Sequence, residues 1–160
     1  GEEPLPEPLP PAALTLPDGV RPDTAEAVDW LMGLDRAVTV LIDGYNVAIL
    51  REGRQGATAD GRRRLVADLS RVRRGGRGTK RYVVVFDSDL PGDRDPAITD
   101  GIEVVYTAGG ESADDDLVAR AAESAAAVVV SSDREVRERS EAEGALAFWS
   151  DALIDWLEAR

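Results

Sequence analysis

A single α/β domain built on a parallel sheet is the architecture this chain predicts, and three observations carry it. Short β-branched or aromatic runs recur as VTVLI (38–42), YVVVF (82–86), IEVVYT (102–107), AVVVSS (127–132) and ALAFW (145–149). Amphipathic stretches near 58–73, 112–125, 134–142 and 151–158 separate or follow them. The length of 160 residues suits one hydrophobic core. Several of the runs are apolar throughout, as strands covered on both faces must be. Their alternation with helices gives a doubly wound sheet with helices on both faces.

The elements follow in chain order. Residues 1–22 hold seven of the nine prolines, which predicts an extended, flexible linker. The chain opens on Gly1 without a Met, so a further N-terminal region of a longer protein is expected before it. No basic, apolar leader is present and no apolar run is long enough to span a bilayer, so no membrane partner is expected and the expected location is the cytoplasm. The domain is expected over 23–160. Asp23 and Glu26 stand at capping-box spacing before AVDWLMGL and predict a short helix over 24–34. In the stretch 58–73, Leu65, Leu69 and Val72 form an apolar stripe. Ser112 and Asp115 have the spacing of a capping box before the next helix. Trp30, Trp149 and Trp156 fall on apolar faces and are expected in the core.

Composition narrows the chemistry. There is no Cys and no His, which excludes disulfides, thiolate zinc sites, Ser-His-Asp catalysis and imidazole ligation. What is left is carboxylates, hydroxyls, amides, guanidinium groups and one lysine, Lys80.

The acids are placed to use that freedom. In parallel α/β sheets, functional groups gather beyond the carboxyl ends of the strands. VLID ends in Asp43, VVVFD in Asp87 and VVVSSD in Asp133, while the third crossover opens with Glu111, Asp114, Asp115 and Asp116. Each alone is better read as a cap or turn former. Together on one edge they would repel and raise one another's pKa, a strain that a bound cation relieves. Oxygen-only ligands point to Mg²⁺ or Mn²⁺. Asn46, in IDGYN, and Ser131 are placed to orient a carboxylate or a bound water, and Gly44 is read as a tight turn at the strand exit. Such a site suits phosphodiester hydrolysis.

LIDGYNV, VVFDSD, ESADDDLVARAAE and VVVSSDREV, in this order and spacing, resemble the NYN domain of the PIN-like nuclease superfamily, its YacP-like branch in particular. The similarity runs from about residue 38 to 158. It implies a metal-dependent endoribonuclease on a five-stranded parallel sheet ordered 3-2-1-4-5, with a metal site of Asp43, Asp87, Asp114 and Asp133, assisted by Asn46 and Ser131. Asp115 is the neighbouring candidate for Asp114, and Asp89 for Asp87. The resemblance also implies RNA as the partner, in association with ribosomes.

The net charge of -12 looks unfavourable for RNA until it is resolved by segment. Residues 51–81 carry 11 Arg/Lys against three Asp/Glu, a net +8 inside an acidic chain. Arg63, Arg71 and Arg74 lie opposite the apolar stripe, Arg62 flanks it, and Arg77, Lys80 and Arg81 follow on a Gly-rich loop. They are expected to track a phosphate backbone. Tyr45 is placed to stack a base. Two other readings stand beside the nuclease. One is an RNA- or ribosome-binding module without turnover. The other is a haloacid-dehalogenase-type phosphatase using Asp87 and Asp89, which needs a downstream lysine that the chain does not have.

Overall fold

The computed structural model describes residues 13–87, 97–107 and 110–160. The elements in order are α1 (Ala25–Gly33), β1 (Val38–Asp43), α2 (Gly44–Glu52), a 3-10 turn (Gly53–Ala57), α3 (Ala59–Val72), β2 (Lys80–Phe86), β3 (Ala97–Thr99), β4 (Ile102–Tyr106), α4 (Ala113–Glu123), β5 (Ala127–Val130), α5 (Arg134–Ala142), β6 (Leu146–Phe148) and α6 (Ser150–Glu158). They form one α/β unit around a six-stranded sheet ordered β3-β4-β2-β1-β5-β6.

The five expected strands are present, pair in parallel, and stand in the order 3-2-1-4-5. The sheet is nonetheless mixed, with six strands rather than five. Short β3 adds an antiparallel edge, pairing Thr99 with Ile102. The two-residue turn between them, Asp100-Gly101, has φ of 50° and 81°, and Asp-Gly is the dipeptide that tolerates positive φ in a tight hairpin. That dipeptide was the available signal for β3.

Alternating strand residues feed two cores. Ile42, Val84, Phe86, Val128 and Val130 pack with α1, α2, α3 and α6 on one face. Leu41, Val83, Val85, Val105 and Val129 pack with Leu117, Ala121 and Val136 of α4 and α5 on the other. The helices therefore cover both faces, as the apolar strands require.

Three local expectations are corrected. The segment after β1 is not a turn but helix α2, with Val47 and Ala48 buried. Gly44 is required there by close approach, because a Cβ at this position would lie 2.5 Å from the Phe86 ring. The capping box at α1 does not form. Thr24 is the N-cap residue and its hydroxyl donates to the Arg21 carbonyl, while Asp23 accepts from the Arg21 guanidinium. Trp149 is not core: it is 38% exposed, with the Arg137 guanidinium 3.6 Å above its ring. Trp156 is buried and its Nε1 donates to Asp29, and Trp30 is half-buried.

Residues 1–12 of the expected linker lie outside the described residues. Leu14, Leu16 and Val20 pack against the core, and the Pro22 carbonyl accepts from Trp149 N–H at 3.0 Å. The described part of that stretch is docked on the domain.

Candidate active site

Strand register brings the site together. In the parallel pairing of β1 with β5, Ile42 lies opposite Val130, so the next residues, Asp43 and Ser131, leave the sheet side by side. The Ser131 hydroxyl donates to Asp43 Oδ2 at 2.8 Å, and both residues are buried. The same hydroxyl accepts the Asp133 backbone N–H at 3.1 Å. Asp133 then caps α5, its Oδ1 accepting the N–H groups of Glu135 and Val136 at 2.9 and 3.3 Å. A carboxylate at this position also faces the positive end of the helix dipole.

Asp87 leaves β2 on the same face. Its Oδ1 accepts the N–H of Ala113 at 2.7 Å, which ties it to the first turn of α4. Asp114 follows directly. Asp115 turns away: its carboxylate pairs with Arg139 at 2.9 Å and its side chain is 69% exposed. Its backbone N–H is the one capped by Ser112. Asp89 lies outside the described residues.

The Asp43 carboxyl lies within the field of Asp114, Asp87 and Asp133. Burial pushes the Asp43 carboxyl up from 3.8 to about 6. Ser131 opposes that shift, and Asp114, Asp87 and Asp133 add to it. Asp114 is also raised, first by burial and then by Asp133, Asp87 and Glu135, with Arg139 opposing. As the side chains stand, no group of three or more acids among the described residues is arranged to hold a metal ion. The two findings are compatible, because a field acts over several ångströms whereas ligation needs oxygens within about 2.0–2.6 Å of one ion. The donor set is all oxygen and mutually repelling, which fits Mg²⁺ or Mn²⁺ by type.

Asn46 is a brace. Its Oδ1 accepts the Ser132 N–H at 2.9 Å and the Ser150 hydroxyl at 2.6 Å, joining α2 to the β5–α5 loop and to α6. Sequence reasoning missed Arg137, which is buried and donates to the Ser131 carbonyl at 3.3 Å. Its place one turn after the cap residue Asp133 was the only signal in the sequence; its burial is not legible there.

The basic residues divide. Arg62 and Arg63 lie in the first half of α3, with Arg62 donating to the Tyr45 hydroxyl at 3.0 Å and Arg63 paired with Asp60. The Tyr45 ring is 4.9 Å from that of Phe86, so Tyr45 is a packed tether for Arg62 rather than an open stacking platform. Arg71 pairs with Asp68 near the end of α3, and Arg74 is exposed just beyond it. Arg77, Lys80 and Arg81 stand at the other end of the sheet. Lys80 opens β2 and Asp87 follows its last residue, a span of roughly 23 Å at the rise of a strand. Lys80 Nζ donates to the carbonyls of Leu34, Arg36 and Arg77, Arg77 pairs with Asp35, and Arg81 with Glu103. Lys80 is thus a structural clasp and not part of a phosphate track. A phosphatase would find no lysine beside Asp87.

No curated protein matches the chain at a significant level. Among solved structures it is similar to the crystal structure of Rae1 (YacP) from Bacillus subtilis, a W164L mutant, with a TM-score of 0.60 and 22% identity over 76% of this chain and 74% of that one. At that identity the likeness concerns the fold. The family model of the YacP-like NYN domain matches residues 40–160, which runs from within β1 to the end of α6 and takes in every acid of the site. By that match the chain belongs to the YacP-like NYN domain family.

Proposed function

We propose that this domain is a metal-dependent endoribonuclease that hydrolyses RNA phosphodiesters at the carboxyl edge of its sheet. One observation supports this reading above the others: a buried Asp43 in the shared field of Asp87, Asp114 and Asp133. A sheet edge that keeps four mutually repelling acids loses stability unless a cation compensates. Asp43, Asp87, Asp114 and Asp133 would hold Mg²⁺ or Mn²⁺, which when bound supplies an activated water and stabilises charge on the scissile phosphate. The chain's own residues set the frame. Ser131 orients Asp43, the N-terminus of α5 orients Asp133, and Ala113 N–H orients Asp87. Asn46 fixes the β5–α5 loop that carries Ser131 and Asp133. The proposed setting is the cytoplasm, with RNA as the partner, ribosome-bound RNA included.

The test is cleavage of a mixed single-stranded RNA with Mn²⁺ or with EDTA, by the parent and by Asp43→Asn and Asp133→Asn. Cleavage is expected only for the parent with metal. RNA bound but uncut under all conditions would leave a binding module, and cleavage that survives both substitutions would place the chemistry elsewhere.

A further inference from the structure

A cleft of about 550 Å³ opens between α3 and the β3–β4 hairpin, on the face of the sheet opposite the acids. Its apolar lining is offered by Val66, Val104 and the half-buried Tyr106, the last residue of β4, whose ring stacks at 5.7 Å and 25° on the fully buried Phe86 that ends β2. Arg62 and Arg63 of α3 stand on one wall, and Thr99 and Asp100 of the hairpin on the other. Strand alternation sets its position. Phe86 and Tyr106 face the α3 side of the sheet, while the next residues, Asp87 and Thr107, face the α4 side, where Asp87 meets Ala113 N–H. The cleft and the acids are therefore two sides of one sheet edge, a residue apart along the chain.

We infer that this cleft is a nucleobase subsite: it takes one unstacked base of a single-stranded RNA whose backbone crosses the sheet edge to the acids. The inference rests on the ribonuclease reading above and specifies how that site holds its strand. A base needs an apolar, aromatic-lined slot, because stacking is what holds bases without regard to sequence. The strand that carries it needs a cation at the rim, and Arg62 is held there by the Tyr45 hydroxyl at 3.0 Å. Thr99 and Asp100 supply acceptors opposite, suited to the N–H groups of a base edge. The cleft is both apolar and flanked by arginine, so single-stranded RNA fits it better than a double helix, whose bases are already stacked.

Ala59 and Ala67 line the cleft from α3 and are exposed, so a tryptophan at either fills it without entering the core. The experiment measures binding in EDTA of an eight-nucleotide single-stranded RNA and of a ribose-phosphate strand of equal length with no bases. It uses the parent, Ala59→Trp and Ala67→Trp. The parent is expected to hold the base-bearing strand about tenfold more tightly, and both variants to lose that preference while still binding the baseless strand as the parent does. If the variants keep the preference, or lose both strands equally, the cleft is not the base site. If the parent binds the two strands equally, the subsite falls and the RNA reading stands. If it binds neither, both fall.

Discussion

Asp43 and Ser131, 88 positions apart in the chain, share a hydrogen bond of 2.8 Å because parallel register sets the ends of β1 and β5 side by side. The bond does two jobs. It opposes the burial that raises the Asp43 carboxyl, and its hydroxyl also receives the Asp133 N–H. Replacing Ser131 with Ala leaves that N–H and the buried carboxylate each without this partner, a change that costs about 1–3 kcal/mol. Ser131→Ala is expected to lower the melting temperature at pH 7.5 and to move the Asp43 titration upward. A titration that stays in place would mean that the hydroxyl does not hold the carboxylate in solution.

The Asp43 titration also sets a pH dependence. Its folded value, about 6, lies above the ordinary 3.8, so the folded state holds the proton more tightly than the unfolded chain does. Stability from this group is complete below pH 3.8 and is lost as pH rises through about 6. The gap corresponds to about 3 kcal/mol, an order-of-magnitude figure. Without metal, Asp43→Asn should therefore melt several degrees above the parent at pH 7.5, and the two should converge near pH 4. Calorimetry in EDTA across that range checks it. A variant that is less stable than the parent at pH 7.5 would show that the buried, charged Asp43 carboxylate carries no such cost.

The same cost predicts a response to metal. A cation that binds the folded acids and not the unfolded chain stabilises by about 2.7 kcal/mol at a hundred times its dissociation constant. Millimolar Mn²⁺ should raise the parent's melting temperature, and Asp87→Asn or Asp114→Asn should reduce that rise. Asp115→Asn should leave it nearly intact, since that carboxylate is turned toward Arg139. An equal loss for Asp114→Asn and Asp115→Asn would contradict the assignment.

How much of this was legible depended on whether the signal was local. Five of the six strands announced themselves through a β-branched or aromatic run, and strand ends located Asp43, Asp87 and Asp133, because parallel strands send their carboxyl ends to one edge; short β3 did not. Helix α2 was not legible, since Gly44 and Asn46 resemble a turn in sequence. The reasons for both residues are tertiary: the Phe86 ring crowds Gly44, and Ser132 and Ser150 are distant partners of Asn46. The role of Lys80 was hidden in the same way. Its position in a basic run suggested phosphate, but the carbonyls it meets include those of Leu34 and Arg36, more than forty residues earlier.

That division of the basic run is itself testable. Lys80→Met removes a donor to three carbonyls and should lower the melting temperature while leaving RNA affinity and its salt dependence unchanged. Arg62→Ala and Arg63→Ala, at the cleft on the α3 side of the sheet, should weaken RNA binding and make log K fall less steeply with log salt. The measurement is RNA affinity between 50 and about 200 mM salt, the range over which phosphate contacts show most clearly. Reversed behaviour, with Lys80 setting the slope and the α3 arginines silent, would put the RNA track at the amino end of the sheet.

The turn between α2 and α3 offers a test of packing alone. At Gly56 an added Cβ would lie 2.1 Å from the Ala48 carbonyl oxygen, and at Gly61 one would lie 2.2 Å from that of Gln55. Both obstacles are backbone and cannot swing aside as a flexible side chain does. Gly56→Ala should therefore push the 3-10 turn away from α2 and cost about 1–3 kcal/mol, in the range for overpacked cores. Gly53 offers a contrast, because a Cβ there meets nothing within 4 Å and only its φ of 65° resists a side chain. Gly53→Ala should also lose stability, but through backbone strain alone, since φ 65° with ψ -144° lies outside the left-handed helical region and is essentially reserved for glycine. Chemical denaturation of the two variants checks the pair. A Gly56→Ala protein as stable as the parent would mean that α2 and the 3-10 turn are not in the close contact described.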